Sequence, residues 1–185
     1  MDDEQIIKMY WDRNEQAINA TDKRYGTYCY AIAEGILHNQ EDAKESVNDT
    51  YLEAWNKIPP HRPDIFKIFL GRLTRCISID KWRKKTAEKR GSGELPRVLE
   101  ELSECIAPEG NPCSEMEKKL LNKTINDFVR GLNHTEQKVF LHRYWYAKSV
   151  RQIAVQYGFS ESKVKSMLMR MRKKLHERLE TEGLL

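Results

Sequence analysis

Residues 147–179 read AKSVRQIAVQYGFSESKVKSMLMRMRKKLHERL, and within them Ala154, Gly158 and Val164 constrain the fold more than any other feature. Glycine takes the left-handed backbone conformation that a tight chain reversal needs. A small residue four positions before it lets two helices approach closely. A branched apolar residue six positions after it fills the angle between them, with Ile153, Phe159, Leu168 and Met171 available for the same small core. Ser160 is the expected cap of the second helix, and Glu161 places negative charge in its first turn, where the helix dipole favours it. This spacing predicts a helix-turn-helix.

Outside that core the second helix leaves Glu161, Ser162, Lys163, Lys165, Ser166 and Arg170, followed by Arg172, Lys173, Lys174 and Arg178. Polar and basic side chains near a helix N-terminus reach base edges and phosphates in a major groove. A basic run alone is most often a solvated face; combined with the Ala–Gly–Val spacing it points to DNA. A second basic stretch, KWRKKTAEKR at 81–90, is separated from the first by an acidic one at 91–117. The net charge of +4 is modest, so its distribution carries the argument: two basic patches on one chain suggest two nucleic-acid contacts.

Apolar residues elsewhere recur at three and four, with little alternation, so the fold class is all-α. A first helix is expected over about 3–19 and a second, capped by Asp22, to about Leu37. The third, QEDAKESVNDTYLEAWNKI, places Val47, Tyr51, Ala54, Trp55 and Ile58 on one stripe. Asp42, Glu45, Asp49 and Glu53 lie mainly off it and read, on pattern alone, as a solvated face. Pro59-Pro60 ends this helix, and Asp64 is the expected cap of a fourth, over about 65–85. There Phe66, Phe69, Leu70, Leu73 and Ile77 face inward, Arg72, Arg75, Lys81, Arg83, Lys84 and Lys85 face outward, and Trp82 is either core or a plate for a base. Gly91-Ser92-Gly93 marks a domain boundary. Residues 91–114, with Pro96, Pro108 and Pro112, read as a linker in which Leu95, Val98, Leu99 and Leu102 form at most a short turn of helix. From Glu115 a helix resumes, with Leu121, Ile125, Phe128 and Leu132 inward; Thr135 is the expected cap of the next.

No apolar run is long enough to span a bilayer, and MDDEQIIKMYW holds no signal-peptide core, so a cytoplasmic protein without membrane insertion is expected. Cys29, Cys76, Cys105 and Cys113 lack metal-ligand spacing and are expected to be reduced thiols. His38, His61, His134, His142 and His176 are scattered, and there is no P-loop, nucleophile elbow or acid–base pair; neither catalysis nor a cofactor is expected.

Three segments taken together carry a resemblance. DAKESVNDTYLEAW at 42–55, FKIFLGRL at 66–73 continuing through IDKWRK at 79–84, and Val164-Lys165-Ser166 followed by RMRKKL at 170–175 are similar to conserved segments of bacterial RNA polymerase sigma factors of the sigma-70 family. Within that family the chain resembles the short extracytoplasmic-function (ECF) group. The resemblance implies two small helical domains joined by a flexible linker: region 2 over residues 1–90, the linker over 91–114, and region 4 over 115–185. It implies a factor that binds core RNA polymerase and directs promoter-specific initiation, with an anti-sigma factor as a further partner. Asp42, Glu45, Asp49, Thr50, Glu53 and Trp55 would meet core polymerase. His61, Arg62, Asp64, Arg72, Arg75, Lys81, Trp82, Arg83 and Lys84 would meet the minus-10 element. Ser160, Ser162, Lys163, Lys165, Ser166, Arg170, Arg172 and Lys173 would meet the minus-35 element. Readings apart from this one are a helix-turn-helix regulator that binds DNA without polymerase, a polymerase-binding sigma mimic or anti-sigma partner, and an RNA-binding regulator. The first would leave the 42–55 helix and the second basic patch unexplained.

Overall fold

A carboxylate begins the first helix. Asp2 accepts from the Gln5 backbone N–H at 2.8 Å while the Gln5 side chain accepts from the Asp2 N–H at 3.0 Å, a reciprocal capping box. From there the computed structural model describes residues 2–87, 94–106 and 115–184. Among these every regular element is an α-helix, and the chain divides into two units, Met1–Gly91 and Ser92–Leu185. The Gly91-Ser92-Gly93 boundary, Lys89, Arg90, Pro108, Pro112 and Cys113, with the side chain of Cys105, lie outside the described residues.

The first unit holds α1 (Asp3–Trp11), α2 (Gln16–Leu37), α3 (Gln40–Lys57) and α4 (Phe66–Ala87). α1 stops at Trp11, short of the expected Asn19, because Arg13 turns to φ 54° and the Asn14 side chain accepts from the Gln16 N–H at 3.0 Å to start α2. Asp22 therefore lies inside α2 and caps nothing; its carboxylate accepts from the Tyr51 hydroxyl at 2.8 Å. His38, left-handed at φ 50°, closes α2, and Asn39 caps α3. α3 ends as expected before Pro59: Ile58 is extended, the conformation a following proline favours. The core gathers Ile6, Tyr10, Ala17, Cys29, Ala33, Ala43, Ala54, Ile58, Phe66 and Leu70. Phe66 is wholly buried against Tyr10 and Tyr25, so removing its ring would cost about 3–5 kcal/mol. Cys29 and Cys76 are free thiols, buried and exposed respectively.

The second unit holds α5 (Glu94–Ile106), α6 (Glu115–Gly131), α7 (His134–Tyr144), α8 (Val150–Tyr157) and α9 (Glu161–Thr181). α5 replaces most of the expected linker. Leu95 and Val98 are buried and Leu102 partly so, one apolar edge of a true helix packed on α7 and α9. Asn133, not Thr135, caps α7, accepting from the Glu136 N–H at 3.0 Å. The core runs through Phe128, Val139, Phe140, Ile153, Ala154, Val164, Leu168, Met171, Leu175 and Leu179. No helix among the described residues is long and apolar enough to cross a membrane.

Candidate nucleic-acid interface

The turn between α8 and α9 is closed by its own backbone. Gly158 sits at φ 65°, and the Phe159 N–H donates to the Ala154 carbonyl at 2.9 Å while the Gly158 N–H reaches that of Val155 at 3.4 Å. This is a Schellman closure of α8. Ser149 opens α8 with a capping box to Gln152, and Ser160 opens α9 by accepting from the Lys163 N–H at 3.2 Å. Ala154, Val164, Leu168 and Met171 are buried in the angle between the helices. Ser160, Ser162, Lys163, Lys165, Ser166, Arg170 and Lys173 are all exposed. Lys163 lies over the Phe159 ring with Nζ 3.9 Å from its centroid, and Lys173 lies 3.8 Å from Glu177. The first turns of α9 thus present hydroxyls, cations and uncapped N–H groups outward on a rod fixed by its apolar edge, which suits base edges and phosphates.

Residues 124–175 match the family model described as sigma-70, region 4. The chain carries a sigma-70 region 4 domain. Such a domain supports the sigma-70 family, whose members are non-enzymatic DNA-binding regulators with RNA polymerase and promoter DNA as partners, and it supports minus-35 recognition in general. No curated protein matches the chain.

The second unit also contains an interaction that sequence reasoning missed. Arg143 on α7 is 1% exposed. Its Nε donates to Glu101 Oε2 at 3.0 Å, a second guanidinium nitrogen reaches Oε1, and its NH1 donates to the Lys148 carbonyl at 3.0 Å. Tyr144 donates its hydroxyl to the same carboxylate at 3.1 Å, and Arg172 lies 3.3 Å away. Burial pushes the Glu101 carboxyl up, but the hydrogen bonds and charges of Arg143 and Arg172 outweigh that and hold it below the usual glutamate range. Burial drives the Tyr144 hydroxyl well above the usual tyrosine value. Arg172, expected among the minus-35 contacts, is accordingly turned inward to Glu101 and Tyr144. Its position, one after the buried Met171, puts it at the edge of the core stripe rather than on the outer face.

In the first unit the expected minus-10 residues divide. His61, Arg62, Asp64, Arg72, Arg83 and Lys84 are exposed. His61 stacks on Phe69 at 5.4 Å, and Arg62 borders an open groove of about 450 Å³ with Trp11, Ile7 and Lys8. Arg72 and Arg83, eleven residues apart, share one face of α4. Arg75, expected outside, is half-buried, and burial holds its guanidinium below the usual arginine value. Trp82 is half-buried as well. Lys81 points to α3, 2.8 Å from Glu45.

The expected polymerase face of α3 keeps Asp42, Glu45, Asp49, Glu53 and Trp55 at least partly accessible, but loses Thr50. Thr50 is wholly buried, its hydroxyl 2.7 Å from the Ser46 carbonyl and 3.2 Å from Thr74 Oγ1. Glu53 pairs with Lys57 at 3.3 Å, and Trp55 packs edge-on to Tyr10 beneath the Arg13 guanidinium.

Proposed function

We propose that this protein is a sigma factor of the short ECF group, acting in the cytoplasm: it binds core RNA polymerase and selects promoters. The observation that carries the reading is α9, where Ser162, Lys163, Lys165, Ser166 and Arg170 are exposed on the far side of buried Val164, Leu168 and Met171, within the region 4 match. In this account residues 115–185, with α5 packed beside them, read the minus-35 element, lysine and arginine holding phosphates while side chains near the start of α9 read base edges. Residues 1–90 form region 2. The acidic face of α3 docks on core polymerase, and the Pro60–Asp64 loop with the exposed basic face of α4 holds the minus-10 strand. No nucleotide hydrolysis is needed for opening. Each base captured by stacking is worth ~1–3 kcal/mol, comparable with the few kcal/mol that extruding a nucleotide costs. An anti-sigma factor restrains the protein until its signal arrives.

Run-off transcription by purified core polymerase on fragmented genomic DNA, with and without the protein, tests the reading. Discrete new start sites that depend on it, and that Lys165→Ala or Arg170→Ala abolish or weaken, support it. Unchanged promoter-specific starts in those variants would refute the DNA-reading role of α9. Polymerase binding without new starts would indicate a sigma mimic, and tight palindrome binding without polymerase a dimeric regulator.

A further inference from the structure

α1 ends on an aromatic ring that the fold leaves in the open. Its neighbour Tyr10 is wholly buried against Phe66, but Trp11 is 42% exposed. Trp11 lines the open groove of about 450 Å³ together with Ile7, Lys8, Arg62, Glu4 and Gln5. The indole and the buried Ile7 give this groove apolar surface, and exposed Lys8 and Arg62 set two cations against the one carboxylate of Glu4. Lys8 is loosely paired, 3.9 Å from Asp12 with both side chains largely in solvent, a kind of pair that holds little. The groove stands on fixed elements. Just past Trp11, Arg13 NH1 donates to the Trp55 carbonyl at 2.7 Å and its guanidinium lies 5.2 Å from the Trp55 ring centroid, tying the end of α1 to the end of α3. Arg62 sits between His61, stacked on Phe69, and buried Pro63.

We infer that this groove is a subsite for one unpaired nucleotide, its base stacked on Trp11 and its phosphate beside Arg62 and Lys8. An exposed aromatic face takes any base, and flanking cations follow the backbone. The inference rests on the role proposed above for the Pro60–Asp64 loop: Arg62 belongs to both surfaces, so the groove carries the single strand from that loop onto α1. The charge of the lining favours a polyanion over an apolar protein segment, whose docking would strip water from Lys8 and Arg62 without pairing them.

The test uses holoenzyme assembled from core polymerase and the full chain, with a fluorescein-labelled single-stranded oligonucleotide carrying a minus-10 sequence defined by run-off transcription. An abasic site is walked through that sequence and beyond both its ends. At one position the abasic strand is expected to bind roughly five- to tenfold more weakly, the low end of what one stacked base contributes because the groove is open. Trp11→Ala is expected to lose the same factor on the intact strand and nothing further on that abasic strand. Trp11→Phe, which keeps a ring face, retains most of the affinity. Losses that add at every abasic position, or a Trp11→Ala enzyme that binds every strand like the unaltered one, overturn the subsite. So does a Trp11→Ala that weakens assembly with core polymerase while the assembled enzyme holds the strand unchanged, which would make the groove a protein contact. His61→Ala combined with Arg72→Ala separates the two levels. If that pair weakens strand binding and Trp11→Ala does not, the groove alone fails; if neither does, the minus-10 role of the first unit fails, and the groove with it.

Discussion

Replacing Glu101 by Gln tests whether α5 is part of the second unit's architecture. The substitution keeps shape and one acceptor oxygen but removes the charge that neutralises Arg143, whose side chain is 2% exposed. Arg143 keeps its bond to the Lys148 carbonyl, which bears no net charge. Breaking a fully buried pair costs about 3–5 kcal/mol; Glu101 is 24% exposed, which lowers the expectation to about 2–3 kcal/mol. For a unit of this size that is a fall of roughly 10–20 °C in its melting transition. Because the chain has two units, the change must be localised, and hydrogen exchange followed on peptides covering 94–102 and 138–148 does so. The same carboxylate sets a pH dependence. Its value is lowered by folding, so the stabilisation is full above the unfolded glutamate value of about 4.3 and disappears as pH falls through the lower folded value. The variant should lack that acid-side loss. A change under about 0.5 kcal/mol, typical of a surface site, with exchange unaltered, would refute the account and return 94–106 to a segment without a structural role.

Gly158→Ala has nothing within 4 Å for its new Cβ to strike, so backbone strain at φ 65° alone should destabilise the second unit by about 1–2 kcal/mol, read by chemical denaturation. Thr50→Val should cost the first unit about 1–2 kcal/mol through the lost hydroxyl contacts to Ser46 and Thr74. It should leave polymerase affinity per folded molecule unchanged, and weaker binding in a competition assay would put Thr50 back on the polymerase face. His38→Gly, at an exposed left-handed helix end, should raise the melting temperature of the first unit, gaining about 0.5–1 kcal/mol.

The helix-turn-helix was legible because its information is local: a glycine, a small residue, a branched residue and a serine cap within eleven residues. The apolar stripe of α3 was legible for the same reason. What escaped was set by distance or by ambiguity of side-chain chemistry. Glu101 and Arg143 are 42 residues apart, and no local pattern says that an acid in an acidic stretch will be clamped by a buried cation. The period of α5 was present in Leu95, Val98 and Leu102, but Pro96 in its first turn reads equally as a linker residue; proline is tolerated there because the first N–H groups have no intrahelical partner. Thr50 looked polar, yet its hydroxyl turns back to the carbonyl one turn earlier, which lets threonine enter a core. The break after Trp11 carries neither proline nor glycine, so periodicity ran through it. At α7, Asn133 and Thr135 are both residue types that can cap, and Asn133 took the role.

On the function proposed above, α9 is at once spine and reading head. Val164, Met167, Leu168, Met171, Leu175 and Leu179 anchor one edge along its whole length, while Ser162, Lys163, Lys165, Ser166 and Arg170 are exposed on the other. Substitutions on the outer edge can therefore change which bases are favoured without disturbing the packing that aims the helix, since exposed sites of this kind shift stability by only about ±0.5 kcal/mol. A gene duplicate of such a protein could drift to new promoters through a handful of surface changes, each intermediate remaining folded along the way.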